Sequence, residues 1–216
     1  MRKLYTSELE LPEEYLDAFL QWYAFRHAPD IYQIGFDVCT SYRAIEGDMM
    51  ILDLYEISST DIFDTAEYRG VAQMDPYSAA ILERRTRKAH SVYTQVQVFP
   101  TPVDDRPLLN ADWINIERYD CELPHTGALE SYFADGEAER ILLAGAKRVR
   151  LASRTKGGPK HVSNRPRWML LSEWPHRPTR HDAIQRLQAR FGDGVVNQSF
   201  FTGYRLFPWM DRPEVA

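Results

Sequence analysis

Apolar and polar residues in the first hundred positions follow two different periods. Four segments alternate at every second residue, as strands with one buried face do: residues 3–10, 35–45, 49–58 and 93–100. Between the first two strands, Leu16, Leu20 and Tyr23 recur at the spacing of one helical face, and Pro29 is expected to end this helix at about His27. A second helical region lies between the third and fourth strands. The element order is that of a ferredoxin-like βαββαβ unit.

The same order begins again in the second half of the chain. Four more strands are predicted, over residues 112–123, 149–155, 167–174 and 195–207. Two more helices are predicted, over residues 129–145 and 179–191. The predicted division is a first repeat at 1–100, a linker rich in proline and aspartate at 101–110, a second repeat at 111–209 and a tail at 210–216. Element order, more than residue identity, carries the repeat.

We therefore predict an α+β fold in which tandem ferredoxin-like βαββαβ repeats pack sheet to sheet. One such sheet covers a single face with its two helices, so packing two bare faces together removes most of the exposed apolar surface. The product would be a barrel-like enclosure of eight strands that can hold a small ligand. The other arrangement open to the sequence is two independent sheets that each pair with another chain, as in a homodimer.

Composition narrows the class of protein. The 216 residues include 44% hydrophobic and 12% aromatic side chains, which is enough for a large core and argues against disorder. The aromatic residues could line a pocket for a flat ligand or serve ordinary core packing. The sequence has no signal peptide and no apolar run of about 18 residues, so we expect a cytoplasmic protein without membrane spans. Cys39 and Cys121 form no zinc-binding pattern and are expected to be free thiols.

Charge is distributed unevenly, although the net charge is only −5. Residues 147–167 contain eight Lys or Arg and no Asp or Glu, which leaves −13 for the rest of the chain. This basic loop could contact an anionic partner or the carboxylate of a substrate, and it could equally be a solvated hairpin loop. One short patch without a recognised motif does not predict nucleic-acid binding.

Motifs of several common enzyme classes are missing from the sequence. It has no GxSxG, GxGxxG, GxxxxGK[ST] or HExxH, which argues against serine hydrolases, dinucleotide enzymes, P-loop enzymes and zincins. His176 and His181 are too loosely spaced to predict a metal site. No metal is therefore expected.

Several motifs of the first repeat occur together in a known family. In order, they are Trp22-Tyr23, His27-Ala28-Pro29-Asp30, Gly35-Phe36 and Tyr42-Arg43. This series resembles the EthD-like branch of the dimeric α+β barrel superfamily, in which an aromatic helix ending in His-x-Pro precedes a strand that begins with glycine. The resemblance covers residues 1–100 and is only architectural for residues 111–209. At the corresponding place the second repeat has Gly136-Glu137-Ala138-Glu139, without histidine or proline.

The resemblance implies an intrachain dimeric α+β barrel with a cavity for a small, often aromatic or polyketide-like molecule. Members of the superfamily include cofactor-independent monooxygenases, muconolactone-type isomerases, fungal polyketide dehydratases and decarboxylases, and haem enzymes. The fold alone selects none of these reactions. Because only the first repeat carries the histidine motif, one site of this kind is expected.

His27 is the first candidate for catalysis. Its ordinary pKa lies near neutrality, so the ring could donate and accept a proton, although it could equally be a hinge residue bonded to the backbone. Asp30 could orient the ring or cap the following turn.

The candidate substrate-binding residues are aromatic and polar side chains expected near the enclosure: Trp22, Tyr23, Tyr42, Asp53, Tyr55, Arg150 and Glu173. Asp53 and Tyr55 would be polar groups in an apolar wall that position a ligand or satisfy each other. Glu173 is expected at the place of Tyr55 in the second repeat, with Arg150 across the hairpin. These two could also form an ordinary cross-strand ion pair.

Two classes of function remain open. The first is a cofactor-independent enzyme, of lyase, dehydratase, isomerase or monooxygenase type, in which His27 moves a proton on a small hydrophobic substrate. The second is a non-catalytic carrier or sensor that uses the same cavity. Haem is an alternative by analogy with the superfamily, with His27, His90 or His125 as the axial ligand.

Overall fold

The computed structural model describes residues 2–72, 76–104, 109–122, 127–155, 165–178 and 183–209. Within these ranges, eight antiparallel strands form one closed barrel. The strands are β1 (Lys3–Glu10), β2 (Val38–Gly47), β3 (Ile51–Ile57), β4 (Arg87–Phe99), β5 (Trp113–Cys121), β6 (Arg148–Arg154), β7 (Trp168–Trp174) and β8 (Val195–Phe207). The prediction of an α+β fold with a closed eight-stranded barrel is confirmed.

Each half of the chain contributes four neighbouring strands in the same order. The first half is ordered β4-β1-β3-β2 and the second half β8-β5-β7-β6. The two sheets join edge to edge, where β2 pairs with β8 and β4 pairs with β6. A closed barrel has no free strand edge, so neither half depends on another chain to complete its sheet.

The helices pack on the outside of the barrel. In the first half they are α1 (Leu16–Trp22), a π-helical turn (Tyr23–His27), α2 (Ala28–Gln33), α3 (Ala66–Ala72) and α4 (Pro76–Leu82). In the second half they are α5 (Ala128–Tyr132), a π-helical turn (Phe133–Glu137), α6 (Ala138–Leu143) and α7 (Ala183–Phe191). Short 3₁₀ turns occupy Glu13–Tyr15, Thr60–Asp64 and Gly192–Gly194. Among the described helices, none has the length and apolar character needed to cross a membrane.

The sequence predicted that the first helix ends at about His27. In the structure the helix continues to Gln33. The turn that starts at Tyr23 is π-helical, and the N–H of Ala28 donates to the Tyr23 carbonyl. A proline inside a regular α-helix clashes with the carbonyl four residues earlier, and the wider π turn relieves this clash for Pro29. The histidine is therefore held inside a continuous helix.

The sequence predicted that Gly35 begins a strand. In the structure it instead ends this helix. Its φ of 98° is left-handed, which glycine adopts without strain. The N–H of Phe36 donates to the Ile31 carbonyl at 3.3 Å, a bond typical of helix C-termini. The strand begins three residues later, at Val38.

Side chains fill the interior of the barrel. Its central apolar cluster includes Leu4, Tyr42, Leu54, Ile116, Met169 and Phe201, all of them buried. Ion pairs lie on either side of this cluster. Arg118 contacts Glu8 at 3.0 Å, and Arg150 contacts Glu173 at 2.7 Å. These buried side chains occupy the interior between the described strands, as they can in a barrel of eight strands.

Several basic residues of segment 147–167 belong to these ion pairs. Arg148 and Arg150 both contact Glu173, and Arg165 contacts Glu8 at 2.7 Å. Positions 156–164 of the segment lie outside the described residues. The interpretation as a solvated loop is therefore wrong for these three arginines, which neutralise carboxylates inside the barrel.

The segment predicted to be a linker also takes part in the core. Leu109 is buried, and its N–H donates to a carboxylate oxygen of Glu56 at 3.0 Å. Ala111 belongs to the same apolar cluster of the barrel interior. This end of the connection therefore packs into the barrel, whereas positions 105–108 and 210–216 lie outside the described residues.

Candidate active site

The π-helical turn places His27 against the outer face of the first sheet. Its ring stacks on Trp22, with centroids 4.7 Å apart. Its Nε2 atom lies 3.2 Å from the Tyr55 hydroxyl, a hydrogen-bonding distance. Trp22 in turn donates its indole N–H to the Ser78 hydroxyl at 2.9 Å, which ties α1 to α4. The imidazole is thus fixed between a helix and a strand.

The sheet contributes the opposite wall. On β3, Asp53 and Tyr55 point outward toward the helices, because alternate residues of a strand face opposite sides. The Ser41 hydroxyl donates to Asp53 at 2.8 Å. On β1, Tyr5 stacks on Tyr55 with centroids 5.3 Å apart, and its hydroxyl lies 3.2 Å from Nδ1 of His90.

These groups surround a cavity of about 110 Å³ between the helices and the sheet. Its lining consists of Tyr5, Ser7, Leu9, Trp22, His27, Ile31, Phe36, Asp53, Tyr55, Tyr68, Leu82, Arg85 and His90. An apolar cavity of about 150 Å³ can hold a benzene molecule. The space is somewhat smaller than this, so a single small ring would enter it only after lining side chains move.

Burial shifts the pKa of both ionisable groups at the centre of the cavity. The pKa of Asp53 rises from 3.8 to about 7, because burial disfavours the carboxylate more than the Ser41 hydrogen bond and the Arg85 charge favour it. The pKa of His27 falls to about 4, chiefly through burial and also through the positive charge of Arg85. At neutral pH the imidazole is uncharged, and Asp53 is the group that can exchange a proton.

The structure brings together four of the residues that the sequence proposed for a site. Trp22, His27, Asp53 and Tyr55 all line the cavity. Tyr23 lies next to it, with its ring centroid 5.4 Å from that of His27, and its hydroxyl donates to the Thr40 carbonyl.

Asp30 is not among the residues that line this cavity. It lies one turn beyond His27, within α2, because the helix continues through the histidine. A role for Asp30 in orienting the imidazole is not supported by the described contacts, in which the ring nitrogen faces Tyr55.

The other three proposed residues lie inside the barrel. The Tyr42 hydroxyl donates to the Ala111 carbonyl at 3.0 Å. Arg150 donates to Glu173 at 2.7 Å, as an ordinary ion pair between neighbouring strands. Glu173 is the sixth residue of β7, so it corresponds to the sixth residue of β3, Glu56, and not to Tyr55. A shift of one residue moves a side chain to the other face of a sheet, so Glu173 faces the barrel interior with Tyr42 and Arg150, and none of the three lines the His27 cavity.

Several lining residues were not identified from the sequence as site residues, and the polar ones among them include Tyr5, Tyr68 and Arg85. Tyr5 could have been found, because it lies on the outward face of β1 and pairs directly with Tyr55. Tyr68 and Arg85 come from α3 and from the turn after α4, where no sequence pattern indicates a direction. His90 was considered only as a haem ligand.

The second half has different chemistry at the corresponding place. Glu137 takes the position of His27 at the end of the second π-helical turn, and it is 2% exposed. Arg186 contacts its carboxylate at 2.6 Å, Arg140 contacts it at 2.6 Å, and the Tyr132 hydroxyl donates to it at 3.1 Å. The position that carries an imidazole in one half thus carries an ion-paired carboxylate in the other.

A buried carboxyl also lies on the outer face of the second sheet. Burial raises the pKa of Glu117 from 4.5 to about 7. Its oxygens accept hydrogen bonds from the Ile184 N–H at 2.9 Å and from the Asn115 amide at 3.2 Å. Glu117 therefore resembles Asp53 in its pKa but does not line the His27 cavity.

Comparison with known proteins relates the chain to solved structures only. No protein-family model and no curated protein matches it. A putative monooxygenase from Lactobacillus acidophilus superposes with a TM-score of 0.57 at 8% identity, covering 94% of this chain and 93% of that one. An anthrone oxidase-like protein superposes with a TM-score of 0.55 at 9% identity, covering 94% of this chain and 90% of that one. A haem-binding protein from Thermus thermophilus superposes with a TM-score of 0.53 at 12% identity, covering 95% of this chain and 91% of that one.

These likenesses show the fold alone, and the chain shares the α+β barrel architecture of these structures. At identities of 8–12% the likeness extends to architecture and does not distinguish the EthD-like branch from other branches.

A haem held by His27 or His90 does not fit the cavity that these two residues line. The His27 cavity is smaller than one that holds benzene, so a macrocycle has no room beside the imidazole. In the second half, a more open cavity of about 340 Å³ lies beside Glu137, but its lining contains no histidine. His125 lies outside the described residues. Within the described ranges, no group of three or more His, Cys, Asp or Glu side chains could hold a metal ion.

Proposed function

We propose that this chain is a cofactor-independent enzyme of the EthD-like branch that removes a proton from a small, flat, hydrophobic compound. The observation that carries the proposal is Asp53, a buried carboxyl with a pKa of about 7 in an aromatic cavity. Strongly shifted pKa values in a cleft are typical of functional sites. The repeated strand order also supports the interpretation of the two halves as tandem ferredoxin-like repeats.

Asp53 is a better base than His27 at neutral pH. A general base works best when its pKa lies near the working pH, and that of His27 is about 4. In the proposed step, an acidic C–H or O–H bond of the substrate breaks, the proton moves to an Asp53 oxygen, and the electron pair stays on the substrate as an enolate or phenolate. When the Tyr55 hydroxyl accepts from Nε2 of the neutral His27, it can donate a hydrogen bond to the oxygen that gains charge.

The fate of this anion determines the overall reaction. Return of the proton to another carbon gives isomerisation, loss of hydroxide gives dehydration, and reaction with molecular oxygen gives oxygenation. The names of two similar structures, a putative monooxygenase and an anthrone oxidase-like protein, favour the oxidative outcome and an aromatic substrate.

Isotope exchange tests the proposed step without requiring the full reaction. Small phenols and enolisable ketones would first be screened for binding by native mass spectrometry. The exchange of an acidic C–H proton of a bound compound with D₂O would then be followed by NMR. We expect the wild type to accelerate exchange and Asp53→Asn to lower its rate by about 100-fold or more.

Glu117→Gln is the matched control, because it removes a carboxyl of similar pKa outside the cavity. It should leave the exchange rate within about twofold of the wild type. An Asp53→Asn variant that exchanges as fast as the wild type would show that Asp53 is not the base.

A non-catalytic binding protein is the second candidate function. The observation that favours it is that the polar groups of the cavity already have protein partners: Asp53 accepts from Ser41, and His27 contacts Tyr55. In this case the wild type would bind the compounds without accelerating exchange. His27→Ala would then change the affinity little, whereas in an enzyme it should lower turnover and spare affinity.

A further inference from the structure

Arg85 is the cationic side chain of the cavity that carries its charge at all working pH values. Its Nε–H donates to the Leu82 carbonyl at 2.7 Å, which anchors the guanidinium to the end of α4. The remaining four N–H groups have no other protein acceptor within the described residues. A guanidinium presents these donors in a planar fork that matches a carboxylate.

Most other partly or fully buried arginines among the described residues have a carboxylate partner, and Arg154 instead donates to the Arg165 carbonyl. Arg150 contacts Glu173, Arg165 contacts Glu8, and Arg186 contacts Glu137, each within 2.7 Å. Arg85 forms no ion pair with any described residue, although it lines the same cavity as Asp53. The partners raise the pKa of Arg165 and Arg186, whereas burial lowers that of Arg85. Asp53 attracts the guanidinium when it is ionised but forms no ion pair with it, so the protein holds a half-buried positive charge that no described carboxylate contacts.

The rest of the cavity is suited to a flat ring. Tyr5 and Tyr55 stack nearly parallel, at an angle of 23°, and Phe36 meets Tyr55 edge to face. Aromatic rings prefer these offset and edge-on arrangements, so the wall offers surfaces for one more ring. At pH 6, the neutral His27 and the largely protonated Asp53 add little charge that would oppose an anion.

We propose that the ligand of the cavity is a small aromatic monocarboxylate, with its carboxylate bound by Arg85 and its ring held by the tyrosines. This inference names the substrate class of the proposed active site and rests on that site being the ligand cavity. A bound carboxylate would anchor one end of the molecule at the open side and direct the opposite end toward Asp53.

Benzoate and benzamide form a suitable probe pair, because they have the same shape and differ in charge. Their dissociation constants would be measured by ligand-observed NMR titration at pH 6 with the full-length chain. We expect the wild type to bind benzoate about tenfold or more tightly than benzamide. Arg85→Gln should abolish this preference through weaker benzoate binding, and Arg85→Lys should retain part of it.

Arg84→Gln is the matched control. Arg84 is the exposed neighbour of Arg85, and its guanidinium lies 4.7 Å from the centroid of the Tyr15 ring, outside the cavity lining. It removes the same charge and should leave the benzoate preference intact. Circular dichroism of each variant would confirm that the fold is retained.

Three results would overturn the inference: equal wild-type affinities for the two probes, binding of neither probe, or equal losses in the Arg84 and Arg85 variants. The proposed catalytic function can fail independently of this test. If the carboxylate preference is present but Asp53→Asn leaves proton exchange unchanged, the ligand class stands and the enzymatic proposal does not.

Discussion

At the scale of single residues, burial exchanges the roles that reference pKa values suggest. A histidine is usually the side chain that titrates near neutrality, and an aspartate is usually ionised there. In this cavity, desolvation lowers the pKa of His27 to about 4 and raises that of Asp53 to about 7. The two pKa values move in opposite directions for one reason. Burial raises the free energy of the charged form, which is the protonated imidazole in His27 and the carboxylate in Asp53.

The pH profile of proton exchange follows from these two values. Because the base must be deprotonated, the exchange rate should rise with pH and level off above about 7, as Asp53 ionises. His27 stays neutral above about pH 5, so no second inflection should appear up to pH 9. NMR exchange rates measured at half-unit steps from pH 5 to 9 would check this. A rate that is independent of pH across this range would contradict it.

Asp53 should also make the folded state less stable as the pH rises. Its folded pKa lies above its unfolded value, so the folded state holds the proton more tightly, and stability decreases between about pH 4 and pH 7. A shift from 3.8 to about 7 corresponds to a loss of at most about 4 kcal/mol. Relative to the wild type, Asp53→Asn should therefore be more stable at pH 8 than at pH 5, as measured by urea unfolding at both pH values.

Glu117→Gln provides the comparison for this prediction. The pKa of Glu117 is raised in the same direction, so this variant should flatten the pH dependence in the same way. A wild type whose stability changes with pH to the same extent as both variants would show that neither carboxyl holds its proton in the folded state.

At the scale of elements, the two π-helical turns carry the difference between the halves. Both turns widen the helix at the same place. In the first half, Pro29 comes after the turn, and in the second half the turn itself contains Gly136, whose φ is 136°. The wider turn directs its last residue toward the sheet, and this residue is His27 in one half and Glu137 in the other. The π-helical turn thus presents a neutral imidazole to the cavity in the first half and an ion-paired carboxylate to neighbouring arginines in the second half.

Glu137→Gln should destabilise the protein without affecting the cavity of the first half. The substitution leaves Arg186 without its carboxylate, and hydrogen bonds to charged groups contribute about 1.5–3 kcal/mol each. We expect a loss of about 2 kcal/mol in urea unfolding, while benzoate affinity stays unchanged. Glu139→Gln, on the exposed side of the same helix, should cost less than about 0.5 kcal/mol. Equal stabilities of the two variants would contradict the ion pair.

At the scale of the whole molecule, closure of the barrel makes the two halves one folding unit. The β2–β8 and β4–β6 ladders join the halves, and the interior contains side chains from both. Arg150 of the second half contacts Glu56 of the first half at 3.5 Å as well as Glu173 at 2.7 Å. Burial of these charges couples the halves electrostatically.

Arg150→Met should therefore destabilise the whole chain in a single transition. It leaves Glu56 and Glu173 buried, and breaking a buried pair typically costs about 3–5 kcal/mol. Arg148→Met, which removes a partly exposed partner of Glu173, should cost less. Calorimetry would check both expectations, and two separate transitions would contradict the coupling.

The order of the strands and helices was predictable because it depends on local periods. β1 was predicted at residues 3–10 and is observed at Lys3–Glu10, and β8 was predicted at 195–207 and is observed at Val195–Phe207. The end of the first helix was not predictable in this way. Pro29 signals a helix end, but the π-helical turn before it removes the clash on which that signal depends.

Local pattern alone determined that the chain is α+β, that four strands recur in each half, and that one half carries the histidine motif. Tertiary structure alone decided on which side of the sheet a ligand can lie, because closure of the barrel fills one face of every strand with core. Alternation shows that Asp53 and Glu56 face opposite ways, but not which of them faces the helices. Arg85 reaches the cavity through the packing of α4 against α1, a contact between segments that are distant in the chain.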